Sequence, residues 1–319
     1  MARTTDGIAR PVLLFACKGV ETPAWLAAIQ SELPDVEVRE FPKVGDVEEI
    51  DFAFVWKYPP GLLRTLPRLR AIFSLGAGVE SILADPDLPR DVPLVRMVDP
   101  GLAIGMNEFV LMRVLHYHRQ MPQHEANQRV RRWARLVPPL PQDRQVGILG
   151  CGQLGGMCAR TLLGLGFDVA VWSRGPKLID GATMFAGAAQ LGAFLARTEI
   201  LVCLLPLTQD TAGIINARNL ALLPRGAFFI NVARGQHVVD ADLLAALDSG
   251  HVEGATLDVF QTEPLPLEHR YWVHPRVTVV PHMAAVTQIK TAAHTLAGNV
   301  RRVLAGEPLP HAVDRARGY

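Results

Sequence analysis

The pattern of glycines in the middle of the chain constrains the fold more than any other feature. An apolar segment runs into Gly150-x-Gly152-x-x-Gly155, and a stretch with helical character follows. In such a turn the first glycine permits a tight bend, the second lets the backbone approach a pyrophosphate, and the third lets the helix pack closely on the strand. The helix amides, starting at Gln153 and Leu154, and the positive end of the helix dipole then face the phosphates. The pattern predicts a dinucleotide site; an unliganded strand–helix turn and a methyltransferase-type loop are the alternatives.

Short apolar runs alternate with helical patterns along the whole chain. This alternation predicts an α/β architecture with doubly wound parallel sheets, because each parallel connection needs a crossover segment. The runs with strand character are Val12–Cys17, Phe52–Trp56, Ala71–Leu75, Val146–Leu149, Val169–Trp172, Leu201–Leu205, Ala227–Val232, Gly254–Val259 and Val277–Val280.

The position of the glycine pattern indicates two domains, because a long α/β segment precedes it. We predict two doubly wound parallel-sheet (Rossmann-like) domains with an active-site cleft between them. Residues 1–103, completed by 288–319, are predicted to form a substrate-binding domain, and residues 104–287 a dinucleotide-binding domain. Helical segments from Ala103 to about Met121 and from about Ala284 to Ala305 are predicted to cross between them.

Composition indicates which partners to expect. The 319 residues carry 32 Lys and Arg against 31 Asp and Glu, so no strong field attracts nucleic acid or anionic membranes, and we expect neither as a partner. His116-x-His118 is a poor metal motif because residues two apart on a helix do not share a face, so no metal is expected. We expect a cytoplasmic protein with reduced thiols, since no signal peptide is visible and no C-x-x-C pair occurs. The cysteines are Cys17, Cys151, Cys158 and Cys203.

The segment after the second strand of the dinucleotide unit predicts which cofactor binds. An NAD site usually places a carboxylate there for the ribose 2′-hydroxyl. This chain has none, and Ser173, Arg174 and Lys177 offer donors that suit a 2′-phosphate. The segment favours NADPH, with NADH still possible; a solvated basic turn is the alternative.

Three polar residues follow apolar strands in the second half of the chain, namely Arg234, Glu263 and His282. Open α/β sheets bind ligands at the carboxyl ends of their strands. A guanidinium can hold the oxygens of a 2-oxo acid, an imidazolium can donate a proton, and a carboxylate can keep that imidazole charged. Alone, each residue is compatible with a cap, a surface ion pair or a buried histidine with its hydrogen bonds satisfied; together, they favour reduction of a ketone beside a nicotinamide.

With these residues in place, the chain resembles the D-2-hydroxyacid dehydrogenase family over nearly its whole length. The matching segments are Phe73–Leu83, Trp172–Arg174, Gly213–Asn216, Asn231–Gly235, Leu243–Gly250, Leu257–Phe260 and Val313–Tyr319, together with the glycine pattern. The resemblance implies that Arg234 and His282 are catalytic, that Glu263 is the partner of the histidine, and that Asp258 contacts the carboxamide region of the nicotinamide. Further dinucleotide contacts are expected at Leu205, Pro206, Thr211, Val232, Ala233, Arg234 and His282. Substrate contacts are expected at Trp56, Leu75, Gly76, Ala77, Gly78, Arg234 and His282.

The resemblance also implies an activity and an assembly. The expected reaction is NADPH-dependent reduction of short 2-oxo acids, glyoxylate to glycolate and hydroxypyruvate to D-glycerate. The alternatives are a dehydrogenase for another 2-oxo acid, such as phosphoglycerate or a longer acid, and a dinucleotide-sensing corepressor. A homodimer is expected, with Trp133 on an arm that meets the partner; an ordinary packing role for Trp133 is the alternative.

Overall fold

The computed structural model describes residues 10–318, which divide into two units, each with its own sheet. One unit comprises Met1–Leu102 and Thr287–Tyr319, and the other Ala103–Val286. Residues 1–9 and Tyr319, which the predicted domain boundaries and the family-like C-terminal segment include, lie outside the described residues.

The strands and helices alternate as the apolar runs predict. The strands are β1 (Val12–Cys17), β2 (Glu37–Glu40), β3 (Ile50–Trp56), β4 (Ala71–Ser74), β5 (Leu94–Val95), β6 (Gln145–Leu149), β7 (Asp168–Ser173), β8 (Thr183–Ala186), β9 (Ile200–Cys203), β10 (Ala227–Asn231), β11 (Val252–Leu257) and β12 (Val277–Val279). The α-helices are α1 (Thr22–Glu32), α2 (Glu80–Leu83), α3 (Pro100–His118), α4 (Met121–Arg129), α5 (Gln153–Gly164), α6 (Gly187–Ala196), α7 (Ala217–Leu220), α8 (Asp240–Asp248) and α9 (Ile289–Ala305). Short 3₁₀ helices occupy Val47–Glu49, Leu62–Thr65, Pro141–Asp143, Gly235–His237 and Arg270–Trp272.

The first unit has a five-stranded parallel sheet in the order β2-β1-β3-β4-β5. Its central strands are continuous apolar runs because both faces are covered. On one face the rings of Phe15, Trp25 and Phe54 pack together, with centroids 5.5–6.5 Å apart. Helix α9 lies on the same face as α1 and contributes small apolar residues, so the end of the chain completes this core.

The second unit has a seven-stranded parallel sheet in the order β12-β11-β10-β9-β6-β7-β8. The strand order reverses beside β6, which pairs with β9 on one side and β7 on the other. A reversal of this kind leaves a crevice at the carboxyl ends of the strands, where ligands of open α/β sheets bind. The predicted fold class, α/β with doubly wound parallel sheets, is confirmed.

The predicted helix boundaries need correction. Helix α3 begins at Pro100 and ends at His118, because Gln120 adopts a left-handed conformation (φ 56°) and a new helix, α4, begins at Met121. Helix α9 begins at Ile289, not near Ala284. Across the part of the chain described, no helix combines the length and the apolar character needed to cross a membrane.

Candidate active site

The carboxyl edge of the seven-stranded sheet gathers the residues predicted for chemistry in the second unit. His282 follows β12, Glu263 lies beyond β11, Arg234 follows β10, and Pro206 lies in the turn after β9. The glycine loop follows β6, the next strand in the sheet. Because neighbouring parallel strands end at the same edge, residues far apart in sequence share one rim of the sheet.

The glycine loop has the geometry of a phosphate-binding turn. Gly150 has φ 112°, a conformation that L side chains rarely adopt, and its carbonyl oxygen lies 1.9 Å from where a Cβ on Gly155 would be. Gly155 therefore permits the close contact between helix α5 and the strand. A Cβ on Gly152 would meet nothing within 4 Å, so open space lies in front of that backbone. Gln153 and Leu154 form the first turn of α5, whose amides have no partner within the helix. These residues fit a dinucleotide pyrophosphate.

A basic turn follows β7, beside the glycine loop. Ser173 is buried and its hydroxyl donates to the Gly175 carbonyl at 2.8 Å, while Arg174 is exposed. The Lys177 ammonium donates to the Cys151 carbonyl and thereby reaches back across the glycine loop. Ser173 shapes the turn, and the two cations place positive charge beside the phosphate loop.

The turn after β9 is held by a threonine. The Thr211 hydroxyl donates to the Pro206 carbonyl at 2.8 Å and accepts from the Thr208 amide at 2.8 Å. Thr211 and Leu205 are both buried. The hydroxyl of Thr211 is therefore engaged in shaping the turn, and Leu205 packs into the core beneath it.

The loop that carries Arg234 is braced from several sides. Asn231 is fully buried; its amide donates to the Arg234 carbonyl at 3.0 Å and its oxygen accepts from the Ala233 amide at 3.2 Å. A Cβ on Gly235 would lie 1.9 Å from the Phe260 carbonyl carbon, so only glycine permits this contact between the two loops. Val232 and Ala233 are buried below the loop. The guanidinium of Arg234 is thus carried by a rigid turn that packs against the loop of Glu263.

His282 and Glu263 form a hydrogen-bonded pair. The Nδ1 atom of His282 lies 2.8 Å from Oε2 of Glu263, while Oε1 accepts from the Phe260 amide at 3.0 Å. The two side chains are 45% and 35% exposed, so the imidazole is accessible to a small molecule. Within the described chain, Nε2 of His282 has no partner, and it faces away from the carboxylate. The pair can present Nε2–H to a substrate.

Electrostatics favour the ionised form of Glu263. Partial burial opposes its charge, but the hydrogen bonds from His282 and the Phe260 amide, with the charges of His282 and Arg234, outweigh that cost and hold the pKa of Glu263 below its ordinary value. The carboxylate therefore stays charged at neutral pH beside the imidazole.

Asp258 organises the turn that carries His282. Its side chain is 1% exposed, and its oxygens accept from the amides of Met283 and Ala284 at 2.8–3.1 Å. Burial raises the pKa of Asp258, and the two amides oppose that rise. His282 has φ 52°, a left-handed conformation, and its amide donates to the Asp258 carbonyl at 2.8 Å. After His282, Ala284 and Ala285 form a turn, and helix α9 begins at Ile289. The predicted contact of Asp258 with the carboxamide stays a prediction.

The first unit contains the loop predicted to bind the carboxylate of a substrate. The amide of Leu75 donates to the Val55 carbonyl at 3.1 Å, and that of Gly76 to the buried Ser74 hydroxyl at 3.2 Å. The Trp56 ring packs on Gly76, where a Cβ would lie 2.6 Å from it. The amides of Leu75 and Gly76 therefore already have partners within the protein. The prediction that this turn donates amides to a ligand now concerns Ala77 and Gly78.

Comparisons with known proteins identify the family. A family model described as D-isomer specific 2-hydroxyacid dehydrogenase, NAD binding domain, matches residues 111–284. Glyoxylate/hydroxypyruvate reductase A of Yersinia enterocolitica is 43% identical over 312 residues, which cover 96% of this chain and 99% of that protein. The chain belongs to the D-isomer-specific 2-hydroxyacid dehydrogenase family. The family and the presence of a dinucleotide-binding domain, both predicted from the sequence, are confirmed.

Solved structures of this dehydrogenase family agree with the assignment. A D-isomer specific 2-hydroxyacid dehydrogenase from Xanthobacter autotrophicus, in complex with NADPH and MES, has a TM-score of 0.94 and 44% identity, covering 98% of this chain and 100% of that one. The NADPH-dependent glyoxylate/hydroxypyruvate reductase of Sinorhizobium meliloti, in complex with NADP and sulfate, has a TM-score of 0.92 and 42% identity, covering 97% and 100%. The architecture of the dehydrogenase is therefore matched along almost the entire chain.

Sequence reasoning missed several residues that hold the dehydrogenase site in shape. His237 is fully buried and contacts both the Arg234 backbone and the Pro206 carbonyl, and Asn231 and Ser74 brace the two loops described above. The spacing Arg-x-x-His and the position of Asn231 at a strand end were the available signals. Among the described residues, no group of three or more His, Cys, Asp and Glu side chains could hold a metal ion.

Proposed function

We propose that this dehydrogenase reduces glyoxylate to glycolate and hydroxypyruvate to D-glycerate with NADPH. The observation that carries the proposal is the pair formed by His282 and Glu263, next to the Arg234 loop, on the same sheet edge as the glycine loop. The identity to reductases of that name over 96% of the chain supports this choice within the family.

Each protein group has a defined part in the reaction. Arg234 holds the carboxylate and carbonyl oxygens of the acid through its fork of N–H groups. His282, with Nδ1 bound to Glu263, donates the proton on Nε2 to the oxygen of the developing alkoxide. The bound nicotinamide supplies a hydride to the carbonyl carbon. Hydride and proton together convert the ketone or aldehyde to an alcohol, and the imidazole is left neutral.

NADPH is the proposed cofactor because positive charge surrounds the end of β7. Arg174 and Lys177 lie in the turn where an NAD site would carry a carboxylate, and Lys177 contacts the glycine loop. A 2′-phosphate would find charge-assisted donors there, whereas a ribose hydroxyl would not need them.

A panel of 2-oxo acids with NADPH and with NADH tests the proposal. Consumption of the reduced cofactor is followed for glyoxylate, hydroxypyruvate, pyruvate and phenylpyruvate. We expect kcat/KM to fall from the two- and three-carbon acids to the aromatic one, and to be higher with NADPH. A higher kcat/KM for phenylpyruvate would contradict the substrate proposal. NADPH binding without turnover of any acid would favour a corepressor.

Assembly and location complete the proposal. We infer a homodimer, because the segment between α3 and β6 exposes Val130, Trp133 and Val137, which are 72%, 94% and 88% exposed. A cytoplasmic location is supported by the cysteines, all of which are free thiols. The ligands proposed are a dinucleotide and a small acid only.

A further inference from the structure

A fully buried histidine connects two loops at the sheet edge. The side chain of His237 is 0% exposed and lies in the 3₁₀ turn Gly235–His237 that follows Arg234. Its Nδ1 lies 3.2 Å from the Arg234 amide nitrogen, and its Nε2 lies 3.3 Å from the Pro206 carbonyl oxygen. The two nitrogens of one ring thus reach the loop after β10 and the turn after β9.

The ring contacts the backbone of both loops. The Pro206 carbonyl is an acceptor, so Nε2 carries a proton and donates to it. Nδ1 lies beside both a donor, the Arg234 amide, and an acceptor, the Arg234 carbonyl oxygen at 3.1 Å, so it contacts the Arg234 backbone whether or not it is protonated.

His237 thus bridges two loops, and each of them is expected to contact a ligand. This inference therefore rests on the proposed function. Pro206 lies in the turn predicted to contact the dinucleotide, and its carbonyl also accepts from the Thr211 hydroxyl. Arg234 carries the guanidinium that binds the acid. A carbonyl oxygen accepts two hydrogen bonds, so Thr211 and His237 together use its capacity.

We propose that His237 is a positioning residue that sets the distance between the dinucleotide turn at Pro206 and the substrate arginine, Arg234. Its ring touches neither ligand and acts through the two backbones. The spacing between hydride donor and ketone determines the rate of transfer, so a rigid link between these loops has a direct use in catalysis.

Two amide substitutions separate the two ends of the bridge. In His237→Asn the side-chain amide reaches the position of Nδ1 and retains the contact with Arg234 but loses Pro206. In His237→Gln it reaches the position of Nε2 and retains Pro206 but loses Arg234. We expect His237→Asn to raise the NADPH Kd about three- to tenfold, which is the factor that corresponds to one lost hydrogen bond. The KM for glyoxylate should change little. We expect His237→Gln to retain the NADPH Kd and to raise that KM by a similar factor with a lower kcat.

A control and a third variant complete the experiment. The control is His251, whose Nε2 donates to the Leu220 carbonyl at 3.0 Å in a turn away from the site. His251→Gln should leave both constants within about twofold of wild type. His237→Phe retains ring volume, loses both contacts, and should show both defects. If the Asn and Gln variants change the two constants alike, change neither, or both fail to fold, the residue has no positioning role and the inference is wrong.

The experiment separates this inference from the proposed function. NADPH Kd is measured by cofactor fluorescence without any turnover, and the affinity for oxalate, an unreactive dicarboxylate, replaces KM when no acid is reduced. A wild-type protein inactive on every 2-oxo acid would contradict the proposed function. The affinities of His237→Asn and His237→Gln for NADPH and for oxalate could still be compared. Opposite effects in the two variants would support the link between the loops, and equal effects would overturn it.

Discussion

At the scale of single residues, His282 combines an unusual backbone with a charged partner. A left-handed conformation at a non-glycine residue costs about 1 kcal/mol or more, and it persists where the surroundings over-determine it. Here the bonds to Asp258 and the pair with Glu263 hold the residue from backbone and side chain. The ring is therefore aimed before any substrate arrives.

The proposed proton donor, His282, is tested by removing its imidazole. His282→Ala should lower the reductive kcat/KM roughly 10²–10⁴-fold, the range typical of a lost general acid, while NADPH binding is largely retained. Steady-state kinetics and a fluorescence titration of NADPH measure the two effects. Near-normal turnover would show that the proton comes from another group.

The partner carboxylate is tested through pH. Because the pKa of Glu263 is lowered, its charge is present above the ordinary glutamate range and is lost only as the pH falls through that lowered value. Glu263→Gln removes the charge at every pH, so the imidazolium of His282 loses its stabilisation. We expect the alkaline fall in reductive kcat/KM to move to lower pH, with the profile of wild type as the reference. An unchanged profile would exclude this role for Glu263.

Cofactor preference is tested at Arg174. Arg174→Asp removes the donor proposed for the 2′-phosphate and adds a repelling charge, at about 1.5–3 kcal/mol for each charge-assisted bond lost. The ratio of kcat/KM for NADPH over NADH should therefore fall roughly ten- to hundredfold or more. Arg218→Asp, at an exposed arginine on α7, serves as the control for charge alone. A wild type that already prefers NADH would contradict the assignment.

At the scale of elements, the site is built from loops that follow successive strands of one sheet. The strands are short apolar runs, so their ends are well defined. The register between neighbouring strands then fixes where each loop begins. Close packing of backbone on backbone at Gly155 and at Gly235 then sets the distances between loops. Glycine is required at these contacts because there is no space for a Cβ, and not because the backbone must be flexible.

Two glycines of one loop should give opposite results on substitution. Gly155→Ala places a Cβ 1.9 Å from the Gly150 carbonyl, which is backbone and cannot move aside, so the melting temperature should fall by several degrees or more. Gly152→Ala meets no protein atom within 4 Å, so stability should be retained while NADPH binding weakens. Gly164→Ala, at the end of the same helix and also in open space, is the matched control. Calorimetry and NADPH titration of the three variants test this, and equal effects on stability at 152 and 155 would contradict it.

At the scale of the whole molecule, the segment between α3 and β6 suggests an interaction surface, because it exposes the apolar side chains of Val130, Trp133 and Val137. Isolated surface apolar residues are ordinary, but several exposed within a few residues of one another mark an interaction surface. We propose a second copy of the same chain as the partner at this surface, because most homo-oligomers close with point-group symmetry.

Light scattering tests the dimer. At micromolar concentration we expect twice the chain mass of 34.9 kDa. Replacing Trp133 and Val137 together by serine should shift the mass toward that of the monomer without unfolding either sheet, since both side chains are largely exposed. A wild-type mass of one chain would contradict the homodimer.

Local periodicity was sufficient to predict much of this architecture. Strands such as β1, β6 and β10 are continuous apolar runs, and the sequence predicts them to within a residue of their ends. The strands it missed are short or lie at sheet edges: β2 and β8 have one neighbour each and carry polar residues, and β5 has two residues. β2 and β8 are only partly buried at the sheet edges, so they lack the apolar run that reveals a central strand.

The sequence by itself determined the parallel α/β class, the glycine loop and the polar residues at strand ends, because each depends on residues near one another in the chain. Only the tertiary structure decided other partners across loops: Asp258 with the amides of Met283 and Ala284, and His237 with Pro206. These contacts join residues 25 to 31 positions apart through the order and register of the strands. Strand order arises from packing of the whole sheet, and no local pattern of residues specifies it.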